Sequence, residues 1–184
     1  MNEKNFALFG IAGLLVAYLS IAISISLSPW FTWRNNVLSD LGHSTGSDVA
    51  YIFNLGLLLA GFLILIYSIK VLGKRAKYTS ISLGLSAFFL HLISTFDEIY
   101  GHYHYLVSVA FFISIIISSI VFSIEKRSSI GFISVISGLL TWMLHFVGLN
   151  NLGVAVPETI SSAVFSSWII VSAVEIYLGR KWNI

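Results

Sequence analysis

The chain has 184 residues, of which 57% are apolar and only 10% charged, with a mean hydropathy of +0.92. A soluble domain carries roughly a quarter charged residues, so a soluble fold of this composition would expose large apolar patches, and a bilayer is the solvent that suits it. The absence of cysteine excludes disulfides, thiolate metal sites and cysteine nucleophiles, and a net charge of +2 is too small to imply nucleic acid.

A membrane-crossing helix needs about 20 predominantly apolar residues. Six stretches qualify, at 6–28, 49–73, 79–98, 105–124, 130–149 and 158–179. The third reaches this length only if residues 79–96 continue through Asp97 and Glu98. The first follows Lys4, as a signal peptide would, but its run of about 23 residues exceeds the ~7–15 of a signal core. No small-residue cleavage site precedes Pro29-Trp30, so a retained first helix is expected. Short connectors and no Pro/Gly/Ser-rich linker predict one all-α domain, a bundle of six transmembrane helices. Its one long connector is the polar passage from Trp30 to His43.

If the six helices alternate, Lys4, Lys70, Lys74, Arg75, Lys77, Lys126, Arg127, Arg180 and Lys181 share one side, and Arg34 alone stands opposite. Positive residues mark the cytoplasmic side, so a multi-pass protein of the cell membrane with both termini cytoplasmic is expected. The other side carries Asp40, Asp48, Asp97, Glu98 and Glu158, and all five histidines fall in its half. Trp30, Trp33 and Trp142 suit the outer aromatic belt and Trp182 the inner one. Gly10 and Gly13, and Ser162 and Ser166, are spaced for close helix packing; a polar wall along a transport path is the other reading of the serines. No inverted repeat or paired broken helices are visible.

Three groups of residues are candidates for chemistry. His91 and His145 lie about 10 and 7 Å from the outer ends of their helices, at about 1.5 Å per residue. At that depth an ionisable side chain needs a partner: another helix, a metal, or each other through a bis-histidine haem b. Seven residues, nearly two turns, would also set His91 on one face with Glu98. The loop from Asp97 to Tyr105 offers Asp97, Glu98, His102 and His104, a donor set that Zn²⁺ accepts; its three tyrosines would equally make it an interfacial anchor. In the connector, Asn35 or Asn36 is a candidate helix cap. Asp40 and His43, three apart, would share a helix face as an oriented general base. Arg34 is the outer cation for a phosphate or carboxylate headgroup, with Trp33 and Asn36 beside it, and Asn54 is placed to hydrogen-bond the connector.

The passage Trp33-Arg34-Asn35-Asn36-Val37-Leu38-Ser39-Asp40-Leu41-Gly42-His43, followed by Ile52-Phe53-Asn54, resembles the hallmark of domain-of-unknown-function family 998. That family consists of small polytopic proteins common in archaea and bacteria, and the serine and isoleucine richness points to an archaeal source. The resemblance implies a six-helix membrane fold and no defined activity. It is distantly similar to the Frag-type six-helix group, which includes a GPI-lipid remodelling factor; that likeness is one of fold alone. Ceramidase- and progestin-receptor-like hydrolases are a poorer match. They use Ser-x-x-x-His and His-x-x-x-His spacings in seven helices, whereas here Ser86 stands five before His91.

The leading expectation is a lipid-interacting membrane protein with an acidic, His-rich pocket open to the outer leaflet. Asp40, His43, His91, Asp97, His102, His104 and His145 would line it, with Asp40, His43 and Asp97 catalytic. His91, His102, His104 and His145 would hold a divalent metal such as zinc for lipid or glycolipid hydrolysis. The alternatives are a subunit or scaffold of a membrane complex, and a haem b electron-transfer protein.

Overall fold

The structure is a computed structural model and describes residues 2–148 and 153–180. Six long helices carry the fold: α1 (Glu3–Ser26), α2 (Ala50–Arg75), α3 (Lys77–Thr95), α4 (His102–Lys126), α5 (Ser129–Phe146) and α6 (Ala155–Tyr177). Each is long and apolar enough to cross a membrane. Leucine, isoleucine and phenylalanine cover their outward faces as well as their inward ones, as expected where the neighbouring solvent is hydrocarbon.

Local chemistry sets the helix ends. Asn2 caps α1 by accepting the Asn5 N–H at 3.0 Å. At the end of α4, Arg127 takes the left-handed conformation and the Ser128 N–H donates to Ser123 O at 3.0 Å. The same closure ends α6, with Gly179 at φ 71° and the Arg180 N–H on Glu175 O. Near its basic end α2 loosens into a π-helical stretch, Ser68–Leu72. There Ser68 Oγ donates to Ser80 O and Ser80 Oγ to Ser68 O, at 2.6 and 2.8 Å, stitching α2 to α3.

Helices α1, α2, α3, α4 and α6 form a closed ring, and α5 packs outside it against α4 and α6. Small residues let these contacts form. The Gly13 Cα lies against Ile64 and Ala60 of α2, and Gly131 of α5 lies on the Ser119 carbonyl of α4. In the core the fully buried Trp168 stacks on Phe122, with ring centroids 4.5 Å apart, and its Nε1–H donates to Ser119 Oγ at 3.0 Å.

The start of α1 and the end of α6 meet at one end of the bundle. Lys4 lies beside Gly179, and Glu3 takes two hydrogen bonds from Arg75, at 2.6 and 3.1 Å. The Glu125 carboxylate receives the Tyr78 and Thr79 N–H groups and the Thr79 hydroxyl, capping α3 from α4. The connector and the 96–101 loop close the opposite end.

The helix bounds differ from those expected in one consequential place. α3 stops at Thr95 rather than running through Asp97 and Glu98. Phe96 leaves the helix, and the Asp97 side chain accepts the Ile99 N–H at 3.1 Å, starting a separate 3₁₀ turn, Glu98–Tyr100. His91 and Glu98 therefore belong to different elements. Likewise α4 begins at His102, because the Tyr105 N–H already donates to Gly101 O. Leu149, which bounds the fifth expected span, and Lys181 and Trp182, expected on the basic side and in the inner belt, lie outside the described residues.

Candidate functional site

The connector folds over its end of the bundle as a lid. Asn36 Oδ1 accepts the Thr32 N–H at 2.9 Å, and its Nδ2 donates to Asp40 Oδ2 at 2.9 Å. The same Asp40 oxygen accepts the Val37 N–H at 3.1 Å, sealing the start of a 3₁₀ turn, Leu38–Gly42. Three bonds seat this lid: Asn54 Nδ2 of α2 to Gly42 O at 2.8 Å, the Leu38 N–H to Glu158 Oε2 of α6 at 2.9 Å, and the Gly153 N–H to Trp33 O at 3.1 Å. Leu38 and Leu41 are buried beneath it.

Under the lid lies a chamber of about 140 Å³ inside the helix ring. Leu57, Leu83, Leu90, Phe111 and Ile115 form its greasy floor, and the Tyr18 hydroxyl bonds Ser166 and Ser162 along one wall. A second, larger space of about 600 Å³ runs up the side of the bundle between α4, α5 and α6. It is lined by Tyr105, Val109, Phe112, Leu139, Trp142 and Phe146. The two spaces share Ser39, His104, Ser108, Phe112 and Glu158, so a polar collar and one phenylalanine separate an inner chamber from a lateral groove.

His104 is the centre of that collar and is 6% exposed. Its Nδ1 lies 2.7 Å from the Phe96 carbonyl, which can only accept, so Nδ1 carries the proton and donates. Nε2 is left facing Ser108 Oγ at 3.3 Å and Glu98 Oε2 at 3.2 Å. A neutral imidazole there accepts the Ser108 hydroxyl proton; a protonated one donates to Glu98. Glu98 Oε2 is buried and receives no aligned hydrogen bond.

Of the residues expected in the pocket, only His104 lines it. Asp40 faces Val37 and Asn36, while His43 Nδ1 contacts Thr45 Oγ1 at 3.4 Å. The two do not form an oriented pair: Asp40 is taken up inside the turn by Val37 and Asn36, and His43 lies past the turn's end with extended backbone. Neither Asn35 nor Asn36 caps it; the Asp40 carboxylate serves that role from inside the turn. His102 and His104 start a helix, where two residues subtend about 200°. His102 consequently lies exposed against Tyr103 while His104 is buried. Asp97 caps its own turn.

His91 Nδ1 bonds Ala87 O at 2.7 Å, and its ring packs on Gly61. His145 sits against Trp142 and Phe146 on α5. His91 thus turns toward α2 while His145 rests against aromatic rings of its own helix. Among the described residues no three His, Asp or Glu side chains are grouped as metal ligands. Arg34 is exposed on the connector, and Trp33 beside it meets Phe31 edge-on, with centroids 5.6 Å apart.

Glu158, Ser108 and Ser39 were not singled out as site residues in the sequence. Glu158 carried a signal, an acid in the first turn of a membrane-crossing helix. Its partner, however, is a backbone amide 120 positions away.

Residues 11–175 match the family described as "Protein of unknown function (DUF998)". Neither a curated protein nor a solved structure matches the chain, and no likeness to the Frag-type group accompanies the family match. On this match the chain belongs to the DUF998 family, and its six apolar helices make it a multi-pass integral membrane protein.

Proposed function

We propose that the protein binds a membrane amphiphile, taking it from the side through the groove between α4 and α5. The headgroup sits at the Glu98–His104–Glu158 collar and part of the tail in the inner chamber. The observation that carries this reading is the junction itself. An apolar chamber inside the ring, a lipid-facing groove outside it and a polar collar between them together match the two halves of an amphiphile. A dry cavity of about 150 Å³ accepts a benzene-sized group, so the chamber takes a short tail segment and the groove takes the rest.

By the positive-inside rule the basic end is cytoplasmic, which sets the collar in the outer leaflet of the cell membrane. A subunit role is supported less well, because the connector's polar groups bond inward to α2 and α6 rather than outward to a partner. A hydrolytic version of the reading rests on Ser108, whose hydroxyl faces the Nε2 of an imidazole fixed through Nδ1. Loss of ester turnover in Ser108→Ala with amphiphile binding intact is its test.

Native mass spectrometry of protein extracted in mild detergent tests the binding itself. Wild type should retain a membrane amphiphile. Phe112→Trp, which fills the junction, should lose it, and Phe132→Trp, on the exposed side of α5, should keep it. A wild type without adduct, or equal retention in both variants, would overturn the reading.

A further inference from the structure

Resting on that reading, we infer that the headgroup accepted at the collar is an organic cation, a protonated amine or quaternary ammonium. Glu98 and Glu158 both line the groove, and the charged groups acting on Glu158 are Glu98 and Asp40, both acids. The basic group among them is the His104 imidazole. Among the described residues no Lys or Arg side chain pairs with either glutamate; Arg34 is exposed on the lid, and the other described Lys and Arg belong to the opposite end. Glu98 faces the His104 imidazole at 3.2 Å and Glu158 lines the same groove, so acids outnumber bases in a poorly hydrated site, and a site of that kind favours a positively charged partner.

Geometry narrows what that partner is. The buried Glu98 Oε2 has no aligned donor of its own. A bare metal ion needs several ligand atoms about 2.0–2.6 Å from one point, and among the described residues no such group of three forms. An ammonium group is larger and is held by hydrogen bonds or by charge across van der Waals contact. It is also attracted to aromatic faces, and the groove supplies Tyr105, Phe112, Trp142 and Phe146 beside the glutamates. Trp142 is held in place there by its Nε1–H bond to Ser161 Oγ at 3.1 Å and its edge-to-face contact with Phe112. Acids and aromatics around one apolar groove form the combination that recognises a cationic amphiphile and repels an anionic one.

The test uses one tail and three headgroups. The protein is reconstituted in nanodiscs of uncharged galactolipid, with radiolabelled dodecyltrimethylammonium as probe and empty discs as blank. Unlabelled dodecylamine, dodecyl maltoside and dodecyl sulfate then compete with it. Dodecylamine should displace the probe at a concentration at least tenfold below that of the maltoside, with the sulfate weakest. In Glu98→Gln and Glu158→Gln this preference should fall by about tenfold, which corresponds to about 1.4 kcal/mol. The glutamine at 158 keeps a carbonyl to accept the Leu38 N–H, and the wild-type series decides by itself if a variant misfolds. Equal displacement by amine and maltoside, or strongest displacement by sulfate, overturns the headgroup assignment while amphiphile binding stands. No saturable binding beyond the blank overturns both.

Discussion

Replacing Gly42 with alanine tests how the lid is seated. A Cβ at this position would stand 2.6 Å from Asn54 Oδ1 and 2.8 Å from Phe53 Cδ1, where ordinary contact is 3.4–4 Å. Phe53 is 4% exposed and has no room to swing. Asn54 cannot retreat without releasing Gly42 O, to which it donates at 2.8 Å. Overpacking costs about 1–3 kcal/mol, and the lost hydrogen bond about 1 kcal/mol. The expected destabilisation is therefore about 2–4 kcal/mol, or on the order of 5–15 °C in melting temperature for a chain of this size. Thermal unfolding in one detergent measures it, with Asn54→Ala and the double variant completing a cycle. With Asn54 shortened one of the two collisions disappears, so adding Gly42→Ala should cost at least about 1 kcal/mol less than in wild type. A neutral Gly42→Ala, or strictly additive costs, would show that the lid does not rest on α2 through this contact.

Three further outcomes follow from the same geometry. Glu125→Ala strips three hydrogen bonds from the start of α3 and should cost about 2–4 kcal/mol, with Glu125→Gln losing roughly half as much; thermal unfolding reads both. Ser119→Ala leaves the buried Trp168 N–H without its acceptor and should cost about 1–3 kcal/mol, whereas Ser26→Ala at an exposed site should stay within about 0.5 kcal/mol. Because the chain has no cysteine, single cysteines report topology cleanly. On intact cells a membrane-impermeant maleimide should label Ser44→Cys on the lid and spare Ser129→Cys at the basic end; the reverse pattern would invert the orientation.

The six spans were legible because hydrocarbon solvation demands long apolar runs whatever packs against them. The site was less legible, because its members are brought together by how helices end. His91 and Glu98 fit one helical period, yet the Asp97 side chain bonds the Ile99 N–H and breaks the helix between them. That break frees Glu98 to turn toward His104 on the next helix. His102 and His104 belong to one donor set only if the segment is a loop; once Gly101 O accepts the first helical bond, the two rings point apart. Asp40 stood out as a polar residue in an apolar chain, and its use turned out to be local, closing the turn that carries Leu38 to Glu158. Asn54 was readable because it lies one turn into α2, close in sequence to the lid it holds. Glu158 was not, because its meaning depends on α6 arriving under a connector from the start of the chain.

The central claim is that an amphiphile tail occupies the space inside the helix ring, and photo-cross-linking tests it most directly. Protein in nanodiscs is exposed to a dodecylamine carrying a diazirine near the end of its tail, irradiated and mapped by mass spectrometry. The account predicts adducts on the chamber residues Leu57, Leu90 and Ile115, all less than 10% exposed, and their loss under excess unlabelled dodecylamine or in Phe112→Trp. Adducts confined to the lipid-facing Leu59, Phe62, Ile133 and Ile136, unchanged by competitor, would contradict it.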